Sequence, residues 1–106
     1  MTDTTVHKIY CARGPETVQA TSPAPGLYVY EIPANVDVPS PNRWRLGHHS
    51  GLAIAESQTE SDVVQAAENI ADLADWTGDY VDLRNTVNRP ELFRRLLSAN
   101  CAQPTA

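Results

Sequence analysis

The sequence predicts an α+β domain. An antiparallel sheet of four to five strands, drawn from the N-terminal half plus a hairpin near 44–56, is covered by two helices near 60–76 and 89–99. Three observations lead there. β-Branched and aromatic residues cluster in the first half and in the hairpin. Apolar residues recur at helical period in the second half. Gly and Pro punctuate the stretches between them. Strands first and helices later favour this class over a parallel α/β fold.

The elements follow in chain order. Val6-His7-Lys8-Ile9-Tyr10-Cys11 reads as a strand, and Gly14-Pro15 punctuates it. Thr17 to Thr21 reads as a short return strand, and Ser22-Pro23-Ala24-Pro25-Gly26 as a turn or loop. Leu27 to Ile32 carries apolar residues on both faces, as a central strand would. Pro33 ends it, and residues 33–42 with Pro33, Pro39 and Pro41 read as an extended crossover loop. Trp44 to His49 then pairs with Leu52 to Glu56 across Ser50-Gly51, where glycine supplies the positive φ of a tight turn. That register sets Arg45 opposite Glu56 as a cross-strand ion pair. It places Trp44, Leu46 and His48 on one face with Ala53 and Ala55. Leu52 and Ile54 share the other face with Arg45 and His49.

Thr59 and Asp62 have capping spacing and open the first helix. Val63, Ala67, Ile70 and Ala74 form its apolar stripe, and Glu68, Asp72 and Asp75 line the opposite side. Thr77-Gly78 is expected to end it. Asn88 and Glu91 cap a second helix with Pro90 in its first turn, and Leu92, Phe93, Leu96 and Leu97 supply its apolar side. The tail from Asn100 is expected to fray.

The 106 residues suit one domain spanning the chain. Thirteen acids against eight bases give a net charge of −5. That sign opposes non-specific binding to nucleic acid or anionic membranes. The charge is uneven. Residues 46–83 carry eight acids and no Lys or Arg, whereas residues 84–106 carry Arg84, Arg89, Arg94 and Arg95 against Glu91 alone. An acidic middle beside a basic end could dock internally or on a partner. No run approaches the ~18 apolar residues of a membrane span. Met1 to Thr5 shows neither the basic nor the apolar region of a secretory signal, so a cytoplasmic protein is expected. Cys11 and Cys101 lie far apart without a C-x-x-C pair, which fits small buried hydrophobes better than a disulfide or a zinc site.

Few motifs carry chemistry. His48-His49 sit adjacent on a strand, where neighbours point to opposite faces, so one metal could not take both without distortion. Ser50 follows directly, but adjacency is not triad geometry, and no nucleotide-binding or nucleophile-elbow motif is present. No cofactor is expected. Arg43-Trp44-Arg45 interleaves cations with an aromatic ring, a pattern able to contact phosphates and stack bases. Over residues 43–75 the order strand, turn, strand, helix carries Trp44-Arg45, Ser50-Gly51 and a helix start at Thr59. This resembles the small DNA-binding modules, a three-stranded sheet plus a helix, at the front of some site-specific recombinases. The resemblance implies a nucleic-acid-binding module, and the residues able to make such contacts are Arg43, Trp44, Arg45 and His49. Those modules usually set several bases on the sheet and turn, whereas Leu52 to Glu56 has no Lys or Arg and the helix is acidic.

The expectation is therefore a small, non-catalytic, intracellular accessory protein, interacting or regulatory, that binds another protein. Two patches are candidate contact surfaces: Glu68, Asp72 and Asp75 on the helix, and Arg43, Trp44, Arg45 and His49 on the strand. Leu92, Phe93, Leu96 and Leu97 need a surface to cover, which the sheet or a second copy could supply. The alternatives are a nucleic-acid-binding accessory protein using Arg43-Trp44-Arg45 and a small histidine- or metal-dependent enzyme.

Overall fold

A computed structural model describes residues 4–11, 14–33 and 41–103. Five strands, β1 (Thr5–Cys11), β2 (Gly14–Ala24), β3 (Leu27–Glu31), β4 (Trp44–His48) and β5 (Ala53–Ser57), form one open sheet in sequence order. Every neighbouring pair is antiparallel. The α+β class is as the sequence predicts. Residues 34–40 of the expected crossover loop lie outside the described residues, as do the environment of Cys11 and residues 104–106.

β2 runs well beyond the predicted Thr17–Thr21. It continues through Ser22 and Pro23, and its register against β3 shifts between Thr21 and Ala24. The Ser22 hydroxyl lies 2.9 Å from the carbonyls of both Ala24 and Leu27, which ties the irregular stretch to the turn. Such an irregularity changes which face a residue meets. Ala20 packs with Ile9 and Tyr30, whereas Ala24 packs with the larger core beneath the helices. The β1–β2 hairpin can therefore arch over one face of the sheet while the far end of β2 serves the other.

The two faces follow from strand alternation. Leu27 and Val29 of β3, Leu46 of β4 and Ala55 of β5 are buried toward the helices. Tyr28 and Tyr30 share the opposite face, where the β1–β2 hairpin covers them. His7 of β1 stacks on Tyr28 with ring centroids 4.4 Å apart. Gly47 of β4 leaves the room for this closure, since a Cβ there would come within 3.1 Å of the Tyr30 ring and 3.4 Å of His7 Nε2. On the same face Arg45 pairs with Glu56 at 3.1 Å, the predicted cross-strand pair. One assignment in the hairpin differs. Leu46 opposes Ala55 as expected, but a bulge sets Ala53 opposite Gly47 and leaves Ile54 as the extra residue. Ile54 thereby packs against the helix-side core instead of sharing the face of Arg45.

Three helices follow: α1 (Glu60–Ile70), α2 (Tyr80–Thr86) and α3 (Arg89–Ser98). Thr59 accepts from the Asp62 N–H as a cap, and Ser57 Oγ holds the Asp62 carboxylate at 3.0 Å. Val63, Ala66, Ala67 and Ile70 face the sheet from α1, which lies across β2 to β5. The helix stops at Ile70, not near 76. The chain leaves the helix in a tighter turn, with the Leu73 N–H donating to the Ile70 carbonyl at 3.0 Å, and side chains add donors: Trp76 Nε1 to the Ile70 carbonyl at 2.8 Å and Arg95 Nη1 to that of Asn69 at 3.0 Å. Trp76 is thereby folded back into the core. α2 was not expected. Its seven residues bury only Leu83, so no apolar stripe announces it. Asn88 caps α3 as predicted, by accepting from the Glu91 N–H.

The tail expected to fray from Asn100 instead bonds back to the fold through Asn100, Cys101 and Ala102. Asn100 takes a left-handed conformation with φ of 60°, and the Cys101 N–H then donates to the Leu96 carbonyl. Ala102 exchanges both backbone hydrogen bonds with Glu56, a single bridge that covers part of the outer edge of β5. Cys101 is buried as expected, and burial pushes its thiol up to about 11.

Candidate functional site

The feature best suited to binding is a cavity of about 450 Å³ between the β4–β5 turn, the segment around Trp76, and α2 with α3. Local sequence explains its shape. Pro25-Gly26 turns β2 into β3 with Gly26 at φ +83°, and the Trp76 carbonyl packs so close that a Cβ there would overlap it at 2.2 Å. This seats the Trp76 segment beside the hairpin end, where His49 N–H donates to the Gly26 carbonyl. Asp79 then caps α2 by accepting from the Val81 N–H at 2.7 Å. α2 and α3 follow each other closely, and their facing sides wall the cavity with Leu83, Leu92 and Phe93. The exposed Arg84 and Arg89 line it as well, and no Asp or Glu among the described residues does.

His48 also lines this cavity and is almost wholly buried. Its Nδ1 accepts from the Ser50 N–H at 3.2 Å and lies 2.8 Å from Ser50 Oγ. That arrangement fits the tautomer with the proton on Nε2. Nε2 has no hydrogen-bond partner among the described residues. Burial lowers the His48 pKa, and the nearby His49 lowers it further. The carbonyls of Trp76 and Gly78 and the charge of Asp79 oppose this without cancelling it. The Trp76 and Gly78 carbonyls lie close, but neither is placed to accept from Nε2. Burial thus disfavours the charged form of His48 and leaves its Nε2 without a hydrogen-bond partner among the described residues.

The two histidines are closer than an ideal strand would allow. β4 ends at His48, so His49 begins the turn and its ring swings to a centroid distance of 4.0 Å. His49 Nε2 lies 2.9 Å from the Gly78 carbonyl. His7 is a third member of the group, with a pKa lowered by burial first and then by His49 and His48. Its Nε2 also has no partner among the described residues. No three His, Cys, Asp or Glu side chains among the described residues are grouped to hold a metal ion.

The residues singled out from sequence end up scattered. Arg45 is buried, with its guanidinium committed to Glu56. Arg43 Nη2 donates to the carbonyls of Ile32 and Pro33 at 2.7 and 2.9 Å, so it fastens the end of β3. Trp44 is half-buried against the helix-side core. The acidic residues do not form one helical face, because α1 ends before Asp72 and Asp75. Glu68 is exposed on α1, Asp72 pairs with Arg95 of α3 at 2.7 Å, and Asp75 accepts from the Thr77 N–H and hydroxyl. Those hydrogen bonds hold the Asp75 carboxyl below its ordinary range.

Sequence reading missed Tyr80, Arg84 and Arg89 as neighbours of His48. The only available signal was the +3 charge of residues 84–106 beside four apolar residues of α3. Compared with known proteins, the chain matches no family model, no curated protein and no solved structure.

Proposed function

We propose that this is a small, non-catalytic interaction protein that docks a partner protein on the outer surface of α2 and α3. One observation carries the reading. Four large apolar side chains stand exposed on this short helix pair: Tyr80 and Val81 on α2, and Phe93 and Leu97 on α3. Tyr80 and Phe93 flank the cavity described above, and Phe93 and Leu97 border the next depression along α3. Exposed apolar groups gathered in this way mark interaction surfaces more often than scattered ones do. The basic residues around them favour an acidic partner surface. Arg43 and Arg45 both bond within the fold, which weakens the case for a nucleic-acid interface on β4.

The test is Phe93→Asp with Leu97→Asp. The double variant keeps its circular dichroism and melting profile, because both side chains are exposed. From nuclease-treated host lysate, the wild type retains a stoichiometric partner that the variant loses. If the wild type instead sediments as a dimer and the variant as a monomer, the partner is a second copy. Identical capture by both proteins would refute the reading.

A further inference from the structure

We infer that the cavity between the β4–β5 turn and the α2–α3 pair is a binding site for a small apolar anion, such as an aryl or alkyl carboxylate. This goes beyond the protein-docking reading and does not depend on it.

Size comes first. A volume near 450 Å³ lies within the ~300–1,000 Å³ range of small-molecule sites. Chemistry comes second. Trp76, Leu83, Leu92 and Phe93 offer an apolar lining for rings or methylenes. Charge decides the ligand class. The whole chain carries −5, yet among the described residues this cavity is lined by two arginines and no carboxylate. Neither Arg84 nor Arg89 makes an ion pair among the described residues, and Arg89 only donates to the Arg84 carbonyl at 3.3 Å. The contrast with their neighbours is direct, since Arg94 and Arg95 are both held by Glu91, and Arg95 also by Asp72. The acid that acts on His48, Asp79, is engaged in capping α2 and does not line the cavity. Guanidinium groups without acidic partners beside an apolar cavity match a planar carboxylate or sulfonate carried on an apolar body. His48 is buried and lines the same cavity, and its Nε2 has no hydrogen-bond partner among the described residues, a second mark of a site built to receive something.

The test uses the full chain and two fluorescent probes with one ring system. 1-Anilinonaphthalene-8-sulfonate carries the anion, and N-phenyl-1-naphthylamine lacks it. The sulfonate is expected to bind at one site, more tightly than the neutral probe. Arg84→Ala with Arg89→Ala should weaken the sulfonate roughly tenfold and leave the neutral probe unchanged. Equal binding of both probes, or an unchanged affinity in a folded double variant, would overturn the proposal. A second measurement needs no variant. Titration of 15N-labelled wild type with 4-phenylbutyrate should shift the Trp76 indole signal and leave that of Trp44 in place, since Trp44 does not line the cavity. A still Trp76, or equal movement of both indoles, would also overturn it.

Discussion

The two faces of the sheet are held by different physics. Toward α1, Leu27, Val29, Leu46 and Ala55 meet Val63, Ala66, Ala67 and Ile70, and every one of these side chains is apolar. On the opposite face His7, Tyr28 and Tyr30 pack with Ile9, Val18 and Ala20 of the β1–β2 hairpin, and Arg45 pairs with Glu56. The first face tolerates any shape that fills it. The second requires partners, and it leaves His7 Nε2 and Arg45 Nε without one among the described residues. An apolar face gains stability by burial alone, whereas a polar face gains it only when each group is paired.

The largest effect is expected where that pairing is broken. Glu56→Ala leaves Arg45 charged and buried, and should lower stability by about 3–5 kcal/mol in urea denaturation. Replacing both residues, Arg45→Met with Glu56→Leu, should recover most of this loss. Failure of that rescue would mean that the pair organises the hairpin beyond its charge. On the other face, Leu46→Ala should cost about 2–5 kcal/mol through lost burial and the cavity left behind, and no charge replacement should rescue it.

Acid should act on both faces, because each holds a buried histidine whose charged form is disfavoured. His7 and His48 have pKa values below their ordinary 6.5, mainly from burial. The unfolded chain therefore takes up protons first as pH falls. The contribution of these two histidines should be full well above pH 6.5 and decline as pH falls through 6.5 toward the lower folded values. Melting curves between pH 8 and 5 would show it. His7→Phe and His48→Leu should each flatten the decline, and a profile unchanged in both variants would contradict it. The smallest effect belongs to the surface. Arg95→Ala removes the bonds to Asp72, Glu91 and the Asn69 carbonyl, yet should lower the melting temperature less than any change above because these groups are partly solvated. High salt should shrink that difference further.

The fold was legible where the signal is local. Capping by Thr59 and Asn88, the hairpin around Gly51 and the Arg45–Glu56 register all depend on residues near one another in the chain. The end of α1 was not legible, because Trp76 and Arg95 take the last carbonyls from 6 and 26 residues away. α2 was hidden because a helix that buries only Leu83 has no periodic stripe. The candidate site was legible only in part. Phe93 and His48 drew notice for their own chemistry, but nothing local connects them.

By itself the sequence determined the α+β class, most strand positions, two helix starts and the separation of acidic and basic segments. These follow from side-chain periodicity, turn chemistry and charge, all read within a few residues. Only the tertiary structure decided that the sheet has two unlike faces. It alone turned Arg45 inward, divided the acids between solvent and Arg95, and brought His48, Trp76, Arg84 and Arg89 around one cavity. The reason is that burial and electrostatic pairing depend on distance in space, and residues far apart in sequence set that distance by how the elements pack.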